Sequence, residues 1–196
     1  MRKHFSLFLM FLTVVLSFTS CMGTFRYDSI EKYQRIRKDP FYNADFIPYD
    51  TDEYTINNFS FINYVYLDTC YEVFLDITVT KEQFEDLISQ SKSHGEFIEQ
   101  DAWYANGYTE IVFEDDYHLG KGYSEDTADF TPSVGWATVE KVIYNPETLN
   151  IIYVCFHSWD TCVYKVDDIQ YFNHFEINPE EYIEHLPQKL ESELQD

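Results

Sequence analysis

Cys155 and Cys162 are the pair whose spacing most directly suggests chemistry. A two-residue turn at Ser158-Trp159 would set 157 against 160, 156 against 161 and 155 against 162, joining strands over 149–157 and 161–166. Opposed strand residues lie about 4.5–5.5 Å apart at Cα, within the reach of a disulfide. That register predicts a Cys155–Cys162 disulfide, with two buried thiols as the alternative. Cys70 is left over and reads as a small buried hydrophobe. Cys155 and His157 are two apart and share a strand face, but a catalytic cysteine also needs an orienting partner, which this spacing alone does not supply.

The second candidate cluster is Asp115, Asp116 and His118, at the start of a polar stretch that continues through Gly120-Lys121-Gly122 to Asp129. The segment 115–134 reads as a long loop, and long loops in compact domains are often functional. Two carboxylates and an imidazole are donors for a divalent cation, so Asp115, Asp116 and His118 are the metal candidates. A solvated acidic loop is the plainer reading. The spacing matches neither a calcium loop nor the paired histidines of a zinc hydrolase. Gly120-Lys121-Gly122 is not a phosphate loop, because the rest of that motif's spacing is missing. No catalytic residue and no cofactor is predicted.

These candidates lie beyond a marked N-terminal segment. Arg2, Lys3 and His4 are followed by an almost wholly apolar, uncharged run from Phe5 to Phe18, then small Thr19 and Ser20, then Cys21. That order is a secretory signal peptide. A membrane span would need about 18 or more apolar residues. Phe18-Thr19-Ser20-Cys21 resembles the lipobox of bacterial lipoproteins, with Phe18 where leucine is usual. The resemblance implies cleavage before Cys21, lipidation of Cys21 with palmitate-type chains, and anchoring in the bacterial cell envelope, outside the cytoplasm. Two acyl chains give stable attachment where one is marginal. The sequence then divides into a signal peptide (1–20), an anchor, tether and short basic helix (21–40), one domain (41–187) and a polar tail (188–196).

Charge narrows the partners. Against 35 acidic residues stand 13 Lys and Arg, a net charge of −22. Such a protein repels polyanions, which excludes nucleic-acid binding. Arg26, Lys32, Arg35, Arg37 and Lys38 lie just after the anchor, where they suit either anionic headgroups or an ordinary solvated helix. Aromatics make up 19% of the residues, with 17 Tyr and 17 Phe, so rings must either fill a β core or form an exposed surface for a protein or glycan.

The elements that position these residues follow from periodicity. Residues 59–67 are apolar on both faces and 70–79 alternate strictly, predicting a hairpin whose second strand has a dry face of Val73, Leu75, Ile77 and Val79 and a largely polar other face. Thr80 with Gln83 forms a capping box for a helix over 81–92, with Phe84, Leu87 and Ile88 on its apolar stripe. A short helix is expected over 29–38, a turn over 103–107 and strands over 108–114 and 136–144. Asn145 to Thr148 reads as a turn, and Asn178-Pro179 as a helix start. Together they predict an α+β domain, an antiparallel sheet of about five to six strands with a helix on one face. The layout is similar to cystatin-like folds in architecture alone, which carries no function. The leading expectation is an envelope- or surface-anchored, non-enzymatic binding module. The rival is an envelope hydrolase using carboxylates or a metal in the 115–134 segment.

Overall fold

The computed structural model describes residues 23–36, 46–48, 53–65, 69–123, 130–158, 164–165, 169–178, 181–182 and 185, with main chain only at 23–24, 36, 64–65, 69, 116–123, 130–137 and 164–165. The segment expected to be a signal peptide (1–20), Cys21, Cys162 and the 188–196 tail lie outside the described residues.

From the N-terminus the elements are β1 (Gly23–Tyr27), α1 (Ile30–Ile36), β2 (Thr55–Val65), β3 (Thr69–Thr78), α2 (Lys81–Lys92), β4 (Ile98–Asp101), β5 (Thr109–Tyr123), β6 (Phe130–Asn145), β7 (Asn150–Ser158), β8 (Tyr164–Lys165) and α3 (Gln170–Phe175). Seven strands form one antiparallel path in the order β1-β2-β3-β7-β6-β5-β4, and the short β8 pairs with β6. The mixed α and β character is as expected. The sheet is larger than five to six strands, because residues read as a tether form β1 and a polar tetrapeptide forms β4.

α2 begins as its sequence dictates. The Thr80 amide donates to Gln83 Oε1 at 2.9 Å, and the Gln83 amide donates to Thr80 Oγ1. The helix buries Phe84, Leu87 and Ile88 on one sheet face. That layer also holds Ile30 and Tyr33 of α1, the 46–47 pair, and Val73, Leu75 and Ile77 of β3. Burying such side chains is worth roughly 1.5–3 kcal/mol each.

The other face is not the solvated one expected from β3. Glu72, Phe74 and Asp76 are buried too, under α3 and the turn between β4 and β5. Their polar atoms are satisfied at long range. Asp76 Oδ1 accepts from Asn57 Nδ2 at 2.9 Å and Asn150 Nδ2 at 2.6 Å. Glu72 accepts from the Gln170 and Tyr171 amides.

β7 decides the topology. It lies between β3 and β6, with Val73↔Cys155 on one side and Glu140↔Cys155 on the other. Both of its edges are therefore used, leaving none for the hairpin expected with 161–166, of which the described residues, 164–165, pair with β6 instead. Residues 115–123 and 130–134 are likewise strand, in the long β5–β6 hairpin, rather than an irregular loop.

Candidate functional site

Residues 102–108 connect β4 to β5 in a tight loop, closed by the Asp101↔Thr109 pair and by the Ala102 amide on the Tyr108 carbonyl at 3.0 Å. Gly107 adopts φ +80, a conformation that suits a residue without Cβ. The loop presents Trp103, 37% exposed, beside a shallow groove of about 560 Å³ that also involves Asp101, Asn106, Tyr108 and Pro146. Trp103 is oriented by rings: it stacks on His185 with centroids 4.2 Å apart and meets Tyr104 edge-on at 5.4 Å. Phe97, just before edge strand β4, and Ile98, its first residue, are also exposed.

Beneath the loop is a buried ionic centre. Lys141 Nζ lies 2.6 Å from Asp115 Oδ2 and 3.4 Å from Glu110 Oε2, and all three side chains are almost fully buried. Lys141 also donates to the Tyr182 hydroxyl at 2.5 Å and sits 4.9 Å from that ring's centroid. Glu110 accepts from the Tyr104 hydroxyl at 2.5 Å and from Gln100 Nε2 at 2.6 Å. Tyr182 in turn donates to Asp115 at 3.0 Å. Burial pushes the Asp115 carboxyl above its usual range, while Lys141 and the Tyr182 hydroxyl pull it back. Burial, with neighbouring negative groups, also raises the Tyr104, Tyr171 and Tyr182 hydroxyls, keeping them neutral. Lys141, Tyr104, Tyr182 and Gln100 all direct their donors at protein acceptors. The effect is to pin the Trp103 loop and the helical residue Tyr182 to the sheet.

Of the metal candidates, Asp115 is therefore committed to Lys141 and Tyr182. Asp116 and His118 are strand residues of β5, and their side chains lie outside the described residues. The predicted disulfide is corrected. Cys155 is a free, buried thiol, and Cys70, expected to be free, is disulfide-bonded. The reason is register: Cys155 faces Val73 and Glu140, because β7 is a central strand.

The Cys155 neighbourhood is a second cluster, on the opposite sheet face. Glu140 is directly across from Cys155, and His157 is two residues further along the same face. His157 Nε2 lies 3.0 Å from Glu140 Oε1, and donor atoms of all three residues lie within 4.8 Å of one another. Tyr71 adjoins it, with its hydroxyl 3.9 Å from Cys155 Sγ and its ring 5.3 Å from that of His157. Burial, reinforced by Glu140, raises the thiol far above its ordinary value, so it is no free nucleophile at neutral pH.

Sequence reasoning missed Glu140 and Lys141. The available signal was two adjacent charges inside the apolar run Val139 to Ile143, which a strand must send to opposite faces. The comparisons add no identity: no protein-family model, no curated protein and no solved structure matches this protein.

Proposed function

We propose that this protein is an envelope lipoprotein, anchored through Cys21, that serves as a non-enzymatic binding module for a protein or glycan partner. The observation that carries the binding half is the exposed Trp103 on a loop pinned by Tyr104, Glu110 and Lys141. An aromatic ring held rigid beside a shallow polar groove gives contact area at little entropic cost. Ring faces stack on the C–H surfaces of sugars or aliphatic groups, and Asp101 and Asn106, both exposed, offer hydrogen-bonding groups at the rim. The strong negative charge favours neutral or basic partners. The anchoring half rests on the lipobox resemblance.

Both halves are tested in the native envelope. Mass spectrometry of the mature N-terminus is expected to find diacylglyceryl-cysteine at Cys21, and an unmodified Cys21 within a longer polypeptide would reject the anchor. A photoreactive phenylalanine analogue replacing Asn106 is expected to cross-link a discrete partner. The same analogue replacing Glu85, exposed on α2 across the sheet, is expected not to. Equal cross-linking from both positions would reject the face.

A further inference from the structure

We infer that Glu140, Cys155 and His157 form a binding site for one zinc-class divalent cation. The three donors are a carboxylate, a thiol and an imidazole, and they converge by register rather than by loop flexibility. Glu140 opposes Cys155 across two paired central strands, and a two-residue step along β7 brings His157 to the same face. Zinc bonds of about 2.0–2.3 Å place tetrahedral donors roughly 3.2–3.8 Å apart. The His157–Glu140 contact at 3.0 Å and the 4.8 Å limit on the whole set bracket that range, so side-chain adjustment alone closes the site.

The mixed donor set selects the metal. Sulfur and nitrogen favour zinc or cobalt over calcium and magnesium, which take all-oxygen sites. Access suits it as well. The Glu140 and His157 side chains are each 24% exposed, while Cys155 is fully buried behind them. A cation would enter past the imidazole and carboxylate and bind against the sulfur, where the Tyr71 hydroxyl borders the sulfur. On binding, the S–H bond breaks, its proton leaves to solvent and a metal–thiolate bond forms. A thiolate and a carboxylate then balance the dication's charge. The cluster is independent of the Trp103 face, which is built on the other side of the sheet.

The test is cobalt titration of the metal-free full-length protein in detergent micelles, without reductant so that the Cys70 disulfide persists. The expected result is a saturable thiolate-to-cobalt charge-transfer band at one equivalent, bleached by zinc. Cys155→Ala should abolish the band. His157→Ala should weaken zinc binding at least about tenfold, the lower end of what loss of even an outer partner costs a metal site. If Cys155→Ala does not fold, His157→Ala decides, since its side chain is partly exposed. No band in the folded wild type overturns the site. A band retained in folded Cys155→Ala, or unchanged zinc affinity in His157→Ala, does the same.

Discussion

The Glu72 carboxyl group accepts the Tyr171 backbone amide at 2.9 Å and the Gln170 amide at 3.0 Å, capping α3 from β3 across almost one hundred positions of sequence. Ile169, the residue at the cap position of that helix, offers no side-chain hydrogen bond of its own. The fold thus supplies from another strand what a local serine or aspartate supplies elsewhere.

This cap makes stability depend on pH. Burial raises the Glu72 carboxyl to about 7, although the two amides and Arg26 pull it down. The folded state therefore holds a proton that an unfolded glutamate, at 4.5, has released. The stability this group contributes is fully present below about pH 4.5 and is lost as the pH rises through about 7. Glu72→Gln keeps an acceptor and removes the titration. From about pH 4.5 to pH 8, wild-type stability should fall relative to Glu72→Gln, by at most about 3 kcal/mol. Urea unfolding at both pH values measures the difference, and parallel behaviour of the two proteins would contradict the role given to Glu72.

Lys141 is the cation shared by two buried carboxylates, Glu110 and Asp115. Lys141→Met should cost about 3–5 kcal/mol, because it strands buried negative charge without a partner. Adding Glu110→Gln and Asp115→Asn to Lys141→Met should recover part of that loss. Denaturant titration of the single and triple variants reads both effects. A loss under about 1 kcal/mol for Lys141→Met would mean that the centre is not a clamp.

The cysteines should differ sharply in reactivity. In metal-free protein, Cys155 should resist alkylation while folded and react on unfolding, because its thiol is buried and raised far above its ordinary value. Cys70 should stay unreactive in unfolded protein until a reductant is added. Peptide mapping after alkylation distinguishes the sites. Rapid labelling of native Cys155, or labelling of unreduced Cys70, would contradict the assignment.

Local signals in the sequence are reliable here and long-range ones are not. The capping box at Thr80 and Gln83 marks the start of α2, because its causes lie within a few residues. The turn at Asn145, whose side chain accepts from the Glu147 and Thr148 amides, is legible for the same reason. α3 is invisible in the sequence because its cap is Glu72. The β5–β6 hairpin extends past Asp115, a poor strand former, and there the charge is neutralised by Lys141 from the paired strand. The expected cysteine pairing fails because adjacency in sequence is not adjacency in the sheet: β7 inserts between β3 and β6. The turn that carries Trp103 is legible as a turn, but its role as a supported surface depends on Glu110 and Lys141 beneath it.

Trp103 is the residue on which partner binding should depend, and retention by it is the most direct measurement. Full-length protein immobilised in detergent, wild type and Trp103→Ala, is exposed to solubilised native envelope, and retained protein and glycan are quantified. Circular dichroism checks that the variant folds, as its partly exposed side chain allows. A partner held by the wild type should bind Trp103→Ala at least about tenfold more weakly, as expected for a central aromatic anchor. Equal retention by both proteins, or no retention by the folded wild type, would contradict a binding face at Trp103.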